Sequence, residues 1–382
     1  MACASLRPQI PILAPRLTFS GVGGGGGGGS DRRSRKLIVS SSQCGEQYEY
    51  EYRSVRSGSG LNSPLEPKSP AGKSLCRVLL DEPRSFEDAV DEFLDRLVED
   101  RDGAIARMKM SLGSDDAALH RRIAELKEHE CQLAVEDIMY MMVFFKFSEI
   151  KVPLIPRLRD CLYNGRLELL PSRDWQLESI HSRQVLEMVR EYLAIAFNLK
   201  AGAGVGAYWS TTQVQMGHLS RVYAASVLFG YLLKSASLRH RLEHSLPGML
   251  LQDDLFGNLR YTPEANMFLL KDLFFDRIQS SPGSTADVAS ASGNKGHEDF
   301  RCYLLSFGPE TLQACAMPSS EHAMNLIENH CSALFWDDAE LQDSDELILT
   351  SFSSLKRLVL EAIAFGSFLW DAERQVEKVC SF

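Results

Sequence analysis

The segments "HLSRVYAASVLFGYLL" (His218–Leu233) and "SLKRLVLEAIAFGSFL" (Ser354–Leu369) decide the fold. Aligned without a gap, they share Leu219/Leu355, Arg221/Arg357, Phe229/Phe365, Gly230/Gly366 and Leu233/Leu369. Both are apolar at nearly every turn, as helices buried on most sides must be. Upstream of each lies an amphipathic segment, "SRQVLEMVREYLAIAF" (Ser182–Phe197) and "SEHAMNLIENHCSALF" (Ser320–Phe335), and these also align without a gap. Periodic apolar residues align easily by chance. Two collinear matches whose offsets are 138 and 136 residues point instead to duplication of a helix-loop-helix unit.

The loop of the first unit is "NLKAGAGVGAYWSTTQVQ" (Asn198–Gln215), where Gly202, Gly204 and Ala207 fit the G-x-G-x-x-A form of a dinucleotide-binding turn. That turn needs a buried strand before it and a helix directly after it, so that helix amides meet the pyrophosphate. Here the preceding segment is helical by period, and no acid stands about 20 residues on to hold a ribose. The second unit's loop, "WDDAELQDSDELILTSFSS", has no glycine. The glycines therefore read as a stop for the preceding helix, with Tyr208 and Trp209 packing the connection. No cofactor is expected. Tyr208–Thr212 is expected to pair with Glu346–Thr350 as a minor two-stranded β ladder.

Working outward, Met1–Cys44 sets Arg7, Arg16, Arg32, Arg33, Arg35 and Lys36 against Asp31 alone and is rich in serine. That composition predicts an organellar transit peptide over residues 1–45. The whole chain of 382 residues carries a net charge of −10, so the remainder is more acidic still, and a nucleic-acid partner is not expected. No apolar run is long enough to span a bilayer. Nine cysteines without C-x-x-C pairs suit a reducing compartment. Residues 46–73 read as a disordered linker, with order expected from about Ser74. A helical hairpin is expected over 74–150, with Leu119, Ile123, Leu126, Leu133, Met141 and Phe145 on the packed stripe of its second helix. The first unit, with an extra helix, is placed at 151–280. A disordered linker follows at 281–297, and the second unit occupies 298–382. The fold class is all-α.

Four further features invite chemistry. His240–His244, "HRLEH", matches the inverted zincin signature with Glu243 as base, but no third ligand is evident and no metal is expected. His330-Cys331, Cys315 and Cys302 share no zinc spacing, and neighbouring side chains on a helix diverge. Arg221 and Arg357 stand at one point of the repeat, nine residues before their glycines. Each must find an acid or free carbonyls, as a helix-to-loop bridge, or bind an anion between the units. Gly230 and Gly366 cost stability in mid-helix and read as sites of close helix approach.

"LKAGAGVGAYWSTTQVQMGHLSRVYAASVLFGYLLKS" and the preceding "VPLIPRLRDCLYNGRLELLPSRDWQLESIHS" resemble the plant plastid UV-B-induced chloroplast proteins, within a larger domain-of-unknown-function family shared with cyanobacteria. "PSSEHAMNLIENH" through "TSFSSLKRLVLEAIAFGSFLWDAERQV" resembles the short cyanobacterial form. The resemblance implies a plastid location and an association with the UV-B response, and it supplies no catalytic residues. Together these observations lead us to expect a stromal, non-enzymatic interaction protein with a protein partner. The alternative is an enzyme or anion-binding protein using a pocket between the units at Arg221 and Arg357.

Overall fold

The computed structural model describes residues 61, 63–169, 172–197, 211–245, 300–336 and 347–379. The expected transit peptide, Gly202, Gly204, Ala207 and the linker at 281–297 lie outside them. The described residues are mostly helical, with one small four-stranded sheet.

Helix α1 (Pro70–Asp81) begins earlier than the expected onset of order at Ser74, within the stretch read as linker. The Ser69 side chain accepts from the Gly72 amide at 3.0 Å, and Pro70 takes the first helical position, where its missing N–H costs nothing. A carboxylate from the next layer holds this start. Asp137 accepts from the Lys68 and Ser69 amides at 2.8 and 2.5 Å.

Helices α2 (Phe86–Met110) and α3 (Ala117–Glu149) form the hairpin, turning at Gly113 with φ of +91°. The second half of α3, from Cys131 to Phe147, is buried on most sides and runs through the core. Its first half corrects the sequence reading. Leu119, Leu126 and Leu133 face outward at 58, 47 and 39% exposure. Two heptad lines run along this helix, and the inner one is Ala124, Cys131 and Ile138. Small residues at Ala124 and Cys131 let α2 lie close, so the bulkier leucine line is left outside.

Helices α4 (Asp174–Ser179) and α5 (Arg183–Ala196) follow, separated by a break. The break falls at Ser182, whose extended backbone and side chain cap α5 through the Val185 amide. Strand β3 is Thr211–Gln215 and leads directly into α6 (Met216–Ser245). Helices α7 (Phe300–Leu305) and α8 (Pro309–Ala316) introduce the second unit. That unit repeats the first: α9 (Glu321–Phe335), β4 (Leu347–Ser351) and α10 (Phe352–Val379). Ser320 caps α9 through the Ala323 amide as Ser182 caps α5.

The two units are related by a pseudo-twofold axis that can be read from the pairing itself. β3 and β4 are antiparallel, with Gln213 opposite Leu349, and those two residues have the offset that separates Gly230 from Gly366. Thr211 faces Ser351 and Gln215 faces Leu347, so every pair is exchanged with its own equivalent. The ladder thus sits further along the chain than the expected Tyr208–Thr212 with Glu346–Thr350, centred where the symmetry requires. It is also wider than two strands. β1 (Leu162–Tyr163) and β2 (Arg166–Leu167) form a hairpin around Asn164-Gly165, both at positive φ, and β2 joins β4 in parallel.

Helices α6 and α10 cross at the two glycines. A Cβ on Gly230 would lie 2.0 Å from the Ile363 carbonyl oxygen, and one on Gly366 would lie 1.9 Å from the Val227 carbonyl oxygen. Val227 and Ile363 are themselves equivalents, so each glycine receives the same backbone atom of the other unit. The flanking stacks repeat too. Tyr192 of α5 stacks on Phe229 with ring centroids 4.4 Å apart, and His330 of α9 stacks on Phe365 at 4.2 Å.

Because the obstructing atoms are backbone, side-chain rotation cannot relieve them. Gly230→Ala and Gly366→Ala are each expected to lower unfolding free energy by about 2 kcal/mol or more in denaturant titrations. Gly103→Ala, in the middle of α2 with only the end of the Arg107 side chain nearby, should raise it by about 0.5–1 kcal/mol.

Candidate functional site

The two arginines at one point of the repeat have unlike surroundings. Arg357 is 2% exposed. Its Nη2 donates to the Pro153 carbonyl at 2.7 Å, and its Nη1 lies 2.8 Å from a Glu361 carboxylate oxygen. Glu361, fully buried, also accepts from the Ile155 amide through both oxygens at 3.1 Å. Burial raises the Glu361 pKa above the usual carboxylate range, while Arg357 and the Ile155 amide pull it down. The set is a closed tie between α10 and the incoming chain at Pro153–Ile155. Arg221, by contrast, lies at the surface with its Nε 3.3 Å from the Gly217 carbonyl oxygen. The difference has a sequence cause: Ala225 stands in the first unit where Glu361 stands in the second. The Pro153–Ile155 segment lies on the α10 side, leading into the β1–β2 hairpin that joins β4.

A second carboxylate on α10 ties the start of the second unit. Glu373 accepts from the Ser320 amide at 2.7 Å, the Ser320 hydroxyl at 2.6 Å and the Tyr231 hydroxyl. Burial raises its pKa, and these donors oppose the rise. Neither carboxylate showed any periodic signal, since both sit at positions that read simply as buried helix.

His330 was singled out for its neighbour Cys331, and the structure gives it a different companion. It is 1% exposed, and its Nε2 lies 3.0 Å from the Tyr223 hydroxyl. Burial drives the His330 pKa down to about 3 and pushes that of Tyr223 well up. A base that stays neutral near pH 7 and a phenol that keeps its proton make a core hydrogen bond, with nothing poised to exchange protons. Desolvation likewise lifts the Cys331 thiol to about 12, far from a thiolate nucleophile at neutral pH. Within "HRLEH", His240 packs against Tyr303 at 4.7 Å, and Glu243 accepts from Arg239 at 3.0 Å. The His244 side chain lies outside the described residues.

The feature the sequence reading missed is on the surface. The leucine line of α3 ends at Leu133, which borders a groove of about 350 Å³ between α3 and α9, with His129, Glu136, Asn325 and Glu328 also in its walls. Asn325 donates to Glu136 across it at 3.1 Å. The equal spacing of Leu119, Leu126 and Leu133 was the available signal, but it fits a packed face as well as an open one.

The chain is 34% identical over 333 residues to the UV-B-induced protein At3g17800, chloroplastic, of Arabidopsis thaliana, a match covering 82% of this chain and 76% of that protein. The chain belongs to this family of UV-B-induced chloroplast proteins. Residues 118–246 also match the family described as "Protein of unknown function (DUF760)". That span runs from the start of α3 to the end of α6, so it holds the leucine line and the first unit. No solved structure matches the chain.

The asymmetry of the arginines can be measured. Arg357→Ala leaves Glu361 as an uncompensated buried charge and should cost about 3–5 kcal/mol in equilibrium unfolding. Arg221→Ala should change stability by no more than about 0.5 kcal/mol. Equal costs at the two positions would contradict the burial described above.

Proposed function

We propose that this chain works in the chloroplast stroma as a non-enzymatic interaction protein linked to the UV-B or a wider stress response, docking through the outer face of α3. The chloroplast and UV-B context comes from the Arabidopsis relative, described as chloroplastic and UV-B-induced. The stromal assignment rests on the basic, serine-rich first segment and on the absence, among the described residues, of any helix long and apolar enough to cross a membrane.

One observation carries the interaction reading. The exposed leucines Leu119, Leu126 and Leu133 recur every seven residues on one side of a helix whose own hairpin partner leaves them uncovered, and grouped exposed apolar side chains mark contact sites. The rival, a ligand pocket at Arg221 and Arg357, is less well supported. The fork of Arg357 is taken by Glu361 and the Pro153 carbonyl, and the crossing beside it is closed by backbone contact.

The test is the native size of the protein in chloroplast extract, before and after UV-B exposure. The wild-type chain should elute in the stromal fraction in an assembly larger than one chain, and Leu126→Glu should elute as a single chain. A wild-type chain that elutes alone under both conditions would overturn the reading.

A further inference from the structure

We propose that the occupant of the α3 face is a second copy of this chain, packed antiparallel about Leu126, with the tip of each hairpin over the groove of the other. This rests on the interaction reading above and names its partner.

The apolar line is self-complementary. Leu119 and Leu133 are each seven residues from Leu126, so an antiparallel copy centred there brings Leu119 level with the partner's leucine line at its other end and sets the Leu126 positions together. Heptad spacing keeps such a line on one side of a helix over two full repeats. Leu112 and Met110, at the hairpin tip, extend the exposed apolar surface at 69 and 86% exposure.

Charge chooses the direction. The tip end is net basic, with Arg107 and Lys109 in the last turn of α2 and Arg121 and Arg122 early in α3 against Asp115 and Asp116 in the turn. The other end is acidic, with Glu128, Glu130 and Glu136 on α3 and Glu328 beside them in the groove. Parallel packing would put basic end on basic end and acidic end on acidic end. Antiparallel packing puts each basic tip, with its Met110 and Leu112, over the acidic groove. The ion pairs these residues make within one chain are open to solvent and readily exchanged. Arg122 lies 3.2 Å from Glu125 and Lys127 lies 3.0 Å from Glu130, and each of these four side chains is more than one-third exposed.

The experiment measures the molar mass of the purified full-length chain by light scattering and sedimentation across a concentration series. The wild-type chain should form a dimer. Leu126→Glu should weaken it at least about tenfold, while Leu80→Glu, an exposed leucine on α1, should leave it unchanged. Arg122→Glu alone and Glu130→Arg alone should each weaken the dimer by roughly threefold or more, with the double variant returning to near the wild-type value. At concentrations low enough that every chain is monomeric, thermal melts of the variants should match the wild-type chain, because all the substituted side chains are exposed. A purified chain that stays monomeric while the extract assembly is larger would overturn this inference and leave the interaction reading standing. A dimer insensitive to Leu126→Glu, or charge variants without rescue, would place the contact elsewhere and overturn it too.

Discussion

Two backbones in contact set the terms for the rest of the molecule. Where α6 crosses α10, neither helix can carry a side chain on the facing turn, because each glycine lies against a carbonyl of the opposite unit. Close approach of this kind brings main chain against main chain and lets the neighbouring rings, Tyr192 on Phe229 and His330 on Phe365, close over both flanks. The helix pair then fixes where β3 and β4 end, since each strand runs into its helix without an intervening loop. Hence the strand ladder inherits the same pseudo-twofold relation. Helices α1 to α4, α7 and α8 and the β1–β2 hairpin pack around this centre, with the second half of α3 running through the core.

Duplication supplies the scaffold, and departures from it supply the individuality. The first unit has Ala225 where the second has Glu361, and Tyr192 where the second has His330. Glu361 meets Arg357 of its own helix and the Ile155 amide from outside the unit, and His330 meets the Tyr223 hydroxyl of the first unit. Such ties are weak evidence for stability in themselves, because desolvation offsets much of the attraction. Their clearer effect is on register. The chain at Pro153–Ile155 and the cap at Ser320 each meet one carboxylate at one height on α10, which leaves a single way to lay these segments down.

How much of this was legible followed from what repeats. The paired helices of the two units and the all-α class rested on apolar period and on two collinear matches, which survive in sequence because packing demands them. The "YNGR" turn at Tyr163–Arg166 carries an Asn-Gly hairpin signal, and the ladder gains two strands by it. The facing of α3 was not legible. Two apolar lines of equal spacing ran along it, and only the need of α2 for small neighbours selects Ala124 and Cys131 for the inside. The unequal fates of Arg221 and Arg357 were hidden as well, since the deciding residue, Glu361, lies four positions on and is silent in a hydrophobic period. An open leucine face is therefore the main functional lead, and it emerged only once the inner line was known.

The central claim, that the glycine crossing is the point on which both units depend, is tested most directly by native-state hydrogen exchange. Amides of residues 227–231 and 363–367 should exchange only through global unfolding, with the same opening free energy in both helices and the highest in the chain. Exchange of one helix through a separate, lower-energy opening, with the other still protected, would contradict it.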